Sequence, residues 1–354
     1  MTNQNKSKKI KVAIFGANGY TGYELLRLLS DHPNVVVTHA TSRAHEGKLV
    51  GELYGSLKDA YHNLKYCGAD AKTIAPLVDA VFVCLPHGAS SETVLTLQKH
   101  GSKKLKIVDL SADFRYDNLN TYNKTYGVVH PSAKINTQAV YGLPELNRNK
   151  IKTANIVANP GCYPTSIILA LLPLIKAGLI KKNGIIADSK SGASGAGRQS
   201  AEPFSICELG NNFKAYGVTT HRHTSEIEEK LDLGVNSPLI FTPHLLPIKR
   251  GILSTIYADL ADGMNENSIK KTYDDFYQNE PFLHIGDDLP ELADVVGSNM
   301  CNIGYRIDKR TNRIIIVSAI DNLIKGASGA AIANLNIMCG LDETTGLPKV
   351  GCQL

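Results

Sequence analysis

The sequence predicts an α/β chain in two parts, a parallel sheet covered by helices followed by an α+β part with a mainly antiparallel sheet. Three observations carry this. Between residues 10 and 110, short apolar runs alternate with runs of helical period. Beyond residue 180 the apolar runs follow one another with few helices between them, and two of them flank a polar turn as in a hairpin. The length, 354 residues, exceeds what one hydrophobic core usually serves.

The elements follow in order. Residues 10–15 form a short apolar strand. Gly22, Leu25, Leu26 and Leu29 then fall at i, i+3, i+4 and i+7, one face of a helix. Residues 35–40, 80–85 and 107–110 read as further strands, with a helix over 91–100. Strand, helix, strand in this rhythm implies a parallel sheet. Residues 154–158 are a strand that gives way to a helix over about 164–177. Past it, 184–190, 239–242, 252–260, 302–307 and 314–320 are strand-like, and helices are expected only near 226–231 and 269–277. The last two strands enclose the polar turn 308–313. A final helix over about 325–339 is rich in Gly, Ala and Ser, which lets it approach another backbone closely, so it is expected to pack on the first part. Two domains result: residues 1–161 with 325–354, and residues 162–324.

Composition excludes several classes. The formal charge of +5 is mild, and no dense basic run argues for nucleic acid. No apolar run approaches the roughly 20 residues of a membrane span. Residues 1–9 are polar, basic and too short for a signal peptide, so they read as a frayed tail and a cytoplasmic location is expected. The seven cysteines (Cys67, Cys84, Cys162, Cys207, Cys301, Cys339, Cys352) are odd in number and scattered, without a CxxC. That favours reduced thiols over disulfides or zinc. Cys84, inside an apolar run, reads as a core residue.

Gly16, Gly19 and Gly22 are spaced G-x-x-G-x-x-G around Tyr20 and Thr21, between the first strand and the first helix. That is the context a dinucleotide-binding loop requires. Glycines admit a pyrophosphate to the backbone and the helix N-terminus binds its charge. The first domain is therefore expected to be Rossmann-like. The second strand ends in Thr41, Ser42 and Arg43, with no acidic residue before Glu46. An acidic side chain there would hold a ribose 2′-OH; Ser42 and Arg43 suit a 2′-phosphate, so the expected cofactor is NADP.

Asn159, Pro160, Gly161, Cys162, Tyr163, Pro164 and Thr165 place a cysteine where a strand turns into a helix. Helix-terminal N–H groups stabilise a thiolate, which can attack an acyl carbon and hold it as a thioester. Proton-transfer partners are sought in the segment from Thr219 to Glu228, which holds His221, His223 and Glu226, while Arg222 can bind an anion. Ser225 and Glu228 have capping-box spacing, so a helix is expected to begin at Ser225, with both histidines on a strand-like approach to it. Either histidine can exchange protons with the thiol or substrate oxygen; a purely structural pair is the alternative, and no third ligand for a metal is evident. Arg115 closes the segment from Asp109, at the C-terminal end of a strand, where it can clamp a phosphate or carboxylate or pair with Asp109 or Asp113. The flexible loop from Ser191 and Gly192 to Gly197 would let backbone approach a cofactor or phosphate.

These motifs resemble the semialdehyde dehydrogenase superfamily, in the acyl-phosphate reductase branch that serves arginine biosynthesis. The likeness spans residues 12–340. It adds the Tyr141-Gly142-Leu143-Pro144-Glu145 run, Thr242-Pro243-His244-Leu245 and Arg250-Gly251 to the segments above. Ser225 departs from the usual proline of that branch, a chemically mild change. The resemblance implies that the Cys162 thiolate expels phosphate from the γ-acyl phosphate of N-acetylglutamate and that NADPH reduces the thioester to the 5-semialdehyde. It implies His221 as general acid/base with His223 in reserve. Arg115, Glu145, His223 and Ser191 would then meet substrate. Pro86, Gly192 and Asn322 would join Gly16, Gly19, Tyr20, Thr21, Gly22, Ser42 and Arg43 on the cofactor. A homodimer or homotetramer through the second domain's sheet is expected, with a small-molecule substrate and neither nucleic acid nor membrane as partner. Aspartate-semialdehyde dehydrogenase, a carrier-linked aminoadipyl-phosphate reductase and a non-catalytic NADP-binding regulator remain the alternatives.

Overall fold

The computed structural model describes residues 9–198, 209–234 and 236–352. Residues 1–8, most of the expected tail, and Cys207 lie outside the described residues. The chain divides into two compact units. The first runs to Asp117 and takes in His130–Asn159 and Ala331–Leu347; the second holds Asn118–Val129, Pro160–Ala330 and the chain from Pro348.

The first unit contains seven strands: β1 (Ile10–Phe15), β2 (Val35–Thr41), β3 (Tyr66–Cys67), β4 (Ala80–Val83), β5 (Lys106–Asp109), β6 (Ala139–Tyr141) and β7 (Ile156–Ala158). They pair in the order β3-β2-β1-β4-β5-β7-β6, and every pair is parallel. The expected parallel sheet is thus present. Its central strands are apolar and buried, as a sheet covered on both faces demands. The strand order reverses between β1 and β4, and the glycine loop leaves β1 at that crevice, where ligands of such sheets bind. Helices α1 (Tyr20–Leu29), α2 (Ala89–His100) and α3 (Pro144–Thr153) belong to this unit. Pro144 starts α3 because a first-turn proline loses no helical hydrogen bond.

In the second unit α4 (Cys162–Lys176) packs on a seven-stranded sheet of β8 (Ile186–Gly192), β9 (Lys214–Ala215), β10 (Ile240–Leu246), β11 (Ile252–Asp259), β12 (Leu283–Ile285), β13 (Cys301–Asp308) and β14 (Arg313–Ile320). The order is β12-β13-β14-β11-β8-β10-β9. Only β12–β13 and β8–β10 are parallel. The expected hairpin is β13–β14, closing at Asp308 and Arg313. Helices α5 (His223–Lys230) and α6 (Glu266–Tyr277) flank α4, and α7 (Gly329–Met338) follows β14. Within the first unit, Asn334 of α7 donates to Gly142 O at 2.9 Å and to Asn159 Oδ1 at 3.1 Å. A Cβ on Gly142 would come within 2.6 Å of the Asn334 amide nitrogen, so that glycine makes room for α7.

Helix α4 is buried from Tyr163 to Leu174. Pro173 inside it has no N–H, which strips Leu169 O of its helical donor. Tyr277 of α6 makes this good, with Tyr273 on the next carbonyl. Tyr277 Oη donates to Leu169 O and Tyr273 Oη to Ala170 O, each at 2.6 Å. Beneath α4 lies a layer of fully buried hydroxyls. Ser166 bonds Ser254 and Ser318 at 3.0 Å, and Ser189 bonds Ser254 at 2.8 Å.

Tyr277→Phe is expected to destabilise the protein to urea unfolding by about 1–3 kcal/mol, because a buried carbonyl loses its donor. In a Pro173→Ala background the restored N–H takes over, and the same change should cost clearly less; equal losses in both backgrounds would refute the assignment.

Candidate active site

The nucleotide end lies in the first unit. Gly16 has φ +80°, and a Cβ there would sit 2.4 Å from Cys84 O, so only glycine lets the loop turn against β4. A Cβ on Gly22 would lie 2.4 Å from Gly16 O. Gly19 caps α1 without a side chain, Tyr20 and Thr21 open the helix, and its first turn carries no acid. The approach to the helix N-terminus is therefore bare backbone. Ser42 is buried, and among the described residues its Oγ has no hydrogen-bond partner. A buried hydroxyl without a partner is costly unless a ligand completes it. Arg43 beside it is exposed. A glycine cradle, a buried hydroxyl unsatisfied among the described residues and an exposed cation in this order fit a dinucleotide that ends in a 2′-phosphate.

Other residues of this end are structural in a way that the motif did not reveal. Asp113 accepts from Gly88 N–H (2.9 Å) and Ser91 N–H (3.0 Å), so its carboxylate closes the N-terminus of α2 and fixes the connection that carries exposed Pro86. Asp109 is fully buried against Ser90 and Ser111, and burial pushes its carboxyl up to about 6. The sequence suggests Arg115 as a substrate clamp or a partner of Asp109 or Asp113. Its Nε donates to Asn159 O at 2.8 Å and a terminal nitrogen donates to Leu110 O at 2.9 Å, so the buried guanidinium braces the ends of β5 and β7. Glu145 lies half-buried in the first turn of α3. Burial pushes the Cys84 thiol up to about 12, which suits the core role expected of it.

The thiol end lies in the second unit. Cys162 is the first residue of α4, two residues before the expected start, and is partly exposed. Pro164 has no N–H, so the N-terminal amides of this helix are those of Cys162 and Tyr163. Gly161 N–H donates to Glu226 Oε1 at 2.9 Å, and Glu226 is fully buried. A Cβ on Gly161 would lie 2.6 Å from His223 Nε2, so the glycine lets an imidazole stand against the residue before Cys162. Cys162, His223 and Glu226 thus converge on one turn. Ser191 is buried and bonds Gly192 O at 3.0 Å. Gly192 passes the chain at 249–250 so closely that a Cβ would lie 2.7 Å from Arg250 N. Asn322 accepts from Gly251 N–H at 2.7 Å and donates to Ser194 Oγ at 2.9 Å, tying that loop to the next.

The histidines are not on a strand-like approach. Helix α5 begins at His223 with Arg222 as N-cap, and Ser225 lies inside the helix. The chain before it is a tight turn with Gly217 at φ +56° and Thr219 at φ +64°, where His221 N–H bonds Gly217 O at 2.8 Å. That turn, rather than a serine cap, sets the helix start. His221 Nδ1 then accepts from His223 N–H at 3.1 Å. A backbone N–H only donates, so the neutral ring carries its proton on Nε2. The ring stands edge-on to Tyr163, Tyr216 and Phe241, with centroids 5.3 to 5.6 Å away. Tyr163 Oη and Tyr216 Oη are hydrogen-bonded at 2.9 Å. Burial, then the nearby Arg222 charge, lowers the His221 pKa to about 4. Glu226 falls in the candidate segment of the sequence, but its bond to Gly161 N–H and its i+3 spacing from His223 are hidden there by the misplaced helix start.

Residues 11–154 match the model of the semialdehyde dehydrogenase NAD binding domain, and residues 162–322 match that of the semialdehyde dehydrogenase dimerisation domain. The N-acetyl-gamma-glutamyl-phosphate reductase of Pelotomaculum thermopropionicum is 48% identical over 346 residues, covering 97% of this chain and 99% of that protein. The chain belongs to the semialdehyde dehydrogenase family. The reductase of the same name from Geotalea daltonii is 50% identical over 347 residues, with the same coverage. Among solved structures, aspartate semialdehyde dehydrogenase II of Vibrio cholerae superposes with TM-score 0.71 at 18% identity, covering 94% of this chain and 99% of that one. The Candida albicans aspartate semialdehyde dehydrogenase with NADP gives TM-score 0.67 at 15% identity, with the same coverage. These structures show that the semialdehyde dehydrogenase fold is shared.

For His221 the sign of the linkage is set by a lowered folded pKa. Between pH 6.5 and about 4 the unfolded chain binds the extra proton, so this histidine's contribution to stability is present above pH 6.5 and lost on acidification through that window. Imidazole nitrogen NMR should find His221 neutral and protonated on Nε2 at pH 6; a resonance titrating at 6.5, or protonated on Nδ1, would contradict the geometry.

Proposed function

We propose that this chain reduces N-acetylglutamyl 5-phosphate to N-acetylglutamate 5-semialdehyde and phosphate, with NADPH as cofactor and Cys162 as the nucleophile. The observation that carries the reading is a partly exposed cysteine at the first position of a buried helix, with His223 against the preceding residue. Support for the substrate comes from relatives named N-acetyl-gamma-glutamyl-phosphate reductase at 48–50% identity over 97% of the chain. Gly16, Gly19, Tyr20, Thr21 and Gly22 would hold the pyrophosphate, Ser42 and Arg43 the 2′-phosphate, and Pro86, Gly192 and Asn322 would border the cofactor. NADPH, when bound, supplies the hydride. Glu145, Ser191 and His223 are assigned to substrate; Arg115 is assigned to it only through the backbone that it braces.

The thiolate forms a bond to the acyl carbon, and the bond from that carbon to the phosphate oxygen breaks. The helix N-terminus favours the anionic sulfur by about 0.3–1 kcal/mol or more when partly buried. As the thioester is reduced, a proton reaches the oxygen from His223, and the same imidazole takes it back when the carbon–sulfur bond breaks to free the aldehyde. His221, neutral with its proton on Nε2, donates a hydrogen bond to the developing oxyanion rather than a proton. The roles are thus the reverse of those the family resemblance suggested.

The matched dimerisation domain goes with a sheet face turned away from α4. That face presents Ile240, which is 57% exposed, with Leu246, Leu253, Tyr257 and Ile315. A second copy of the chain is its proposed partner. Among the described residues no helix is long and apolar enough to cross a membrane. The proposed setting is the cytoplasm, where a catalytic thiol stays reduced.

The test is the reverse reaction with NADP, phosphate and N-acetylglutamate 5-semialdehyde, run beside aspartate semialdehyde. Phosphate-dependent NADPH formation with the acetylated substrate alone is expected; turnover of aspartate semialdehyde alone would move the chain to the sister activity. Cys162→Ser should abolish turnover and leave NADPH binding intact, and retained activity would rule out the covalent route. Arg43→Ala should weaken NADP binding in titration calorimetry far more than NAD binding; equal losses would remove the 2′-phosphate assignment.

A further inference from the structure

We propose that the wide turn before α7 is the seat of the reactive thiol and that Gly326 is a positioning residue of the reaction. The inference rests on Cys162 being the nucleophile. The helical segment does not start as an α-helix. Gly326 N–H bonds Asp321 O and Ser328 N–H bonds Leu323 O, each at 2.9 Å, so residues 324–328 turn with five-residue hydrogen-bond spacing. Such turns are rare and recur at functional sites.

Gly326 is not there for its backbone, because its φ lies outside the left-handed region that favours glycine. It is there for space. A Cβ on Gly326 would lie 2.8 Å from Cys162 Cβ and 3.3 Å from Cys162 Cα. The bare backbone of the turn therefore stands in contact with the cysteine and closes one side of it. The wide turn carries that backbone outward to meet the first residue of α4.

The turn itself is held from below. Asp321 is fully buried, and its Oδ1 accepts from Leu323 N–H (2.8 Å) and Ile324 N–H (3.1 Å). Its Oδ2 accepts from Gly297 N–H at 2.9 Å. The Arg250 guanidinium neutralises the carboxylate, with both nitrogen–oxygen distances at 3.1 Å. A buried carboxylate with this many donors is a fixed point, and the turn hangs from it. Cys162 is thereby confined between Gly161, whose N–H Glu226 holds, and Gly326, whose turn Asp321 holds. Thioester formation requires the sulfur within a few tenths of an ångström of its attack position, and a misplacement of about 1 Å costs on the order of 100-fold in rate.

The experiment substitutes Gly326→Ala in the full chain and measures kcat, KM, NADPH affinity by fluorescence, and the pH midpoint of Cys162 alkylation by iodoacetamide. Expected are a kcat about 100-fold lower, unchanged NADPH affinity, a KM nearly unchanged and a higher alkylation midpoint as the sulfur leaves the helix N-terminus. Wild-type kcat and midpoint would overturn the proposal. A loss of NADPH affinity in step with kcat would also overturn it, because the residue would then serve the fold alone. If Gly326→Ala does not fold, Asp321→Asn takes its place: it keeps an acceptor while loosening the anchor, and about a tenfold loss in kcat at unchanged NADPH affinity is expected. Wild-type kcat in that variant would count against the seat. Cys162→Ser in the same assay separates the two readings. If Cys162→Ser is active, the nucleophile is misassigned; if it is inactive while Gly326→Ala is fully active, only the seat is wrong.

Discussion

The burial of α4 is the constraint on which the second unit depends. A helix covered from Tyr163 to Leu174 has no water to satisfy its backbone, so every carbonyl needs a donor within the protein. The sheet supplies one wall and α5 and α6 two more. Tyr277 of α6 answers the gap that Pro173 opens. Both ends leave this enclosure, and Cys162 stands at the N-terminal one, where the bare amides are. The proposed nucleophile is therefore mounted on a rigid rod, and its neighbours need only fix the first turn. Glu226 does so through Gly161, and its own rigidity comes from lying in the core side of α5.

The first unit solves a different problem. A dinucleotide phosphate needs bare amides, while other exposed helix starts must not compete for it. The N-terminus of α1 is left open by glycine, whereas that of α2 is closed by Asp113. Two parallel strands thus end in helices of opposite accessibility. The same carboxylate that closes α2 fixes the connection carrying Pro86. Arg115 and Asp109 belong with it as internal bracing at the C-terminal edge of the sheet.

Much of this was legible in the sequence. The glycine spacing, the apolar β1 and β4 and the hairpin of β13 and β14 each follow from local rules that the tertiary structure respects. The short strands β3, β6, β9 and β12 have two or three residues and no room for a period, so no pattern marks them. The start of α5 was misread because Ser225 and Glu228 have the spacing of a cap, while the real start is dictated by the turn at Gly217 and Thr219. The bracing role of Arg115 stayed hidden because a sequence does not say which carbonyls come near. Gly326 was hidden in a run of small residues, and its distinction is a contact with a cysteine far away along the chain. For Arg115 and Gly326 what escaped the sequence was a long-range close approach; for the short strands and the start of α5 it was local.

The hydroxyl layer beneath α4 bears on how such a chain can change over time. Ser166, Ser189, Ser254 and Ser318 satisfy one another in a place that water does not reach. Replacing one strands the others, at about 1–3 kcal/mol for each abandoned partner, whereas replacing the whole set by apolar groups of like shape is close to neutral. Each single step is uphill although the distant end point is level. The layer therefore acts as a ratchet on sequence drift: a lineage that holds it has no gradual path away, and one that loses it has none back.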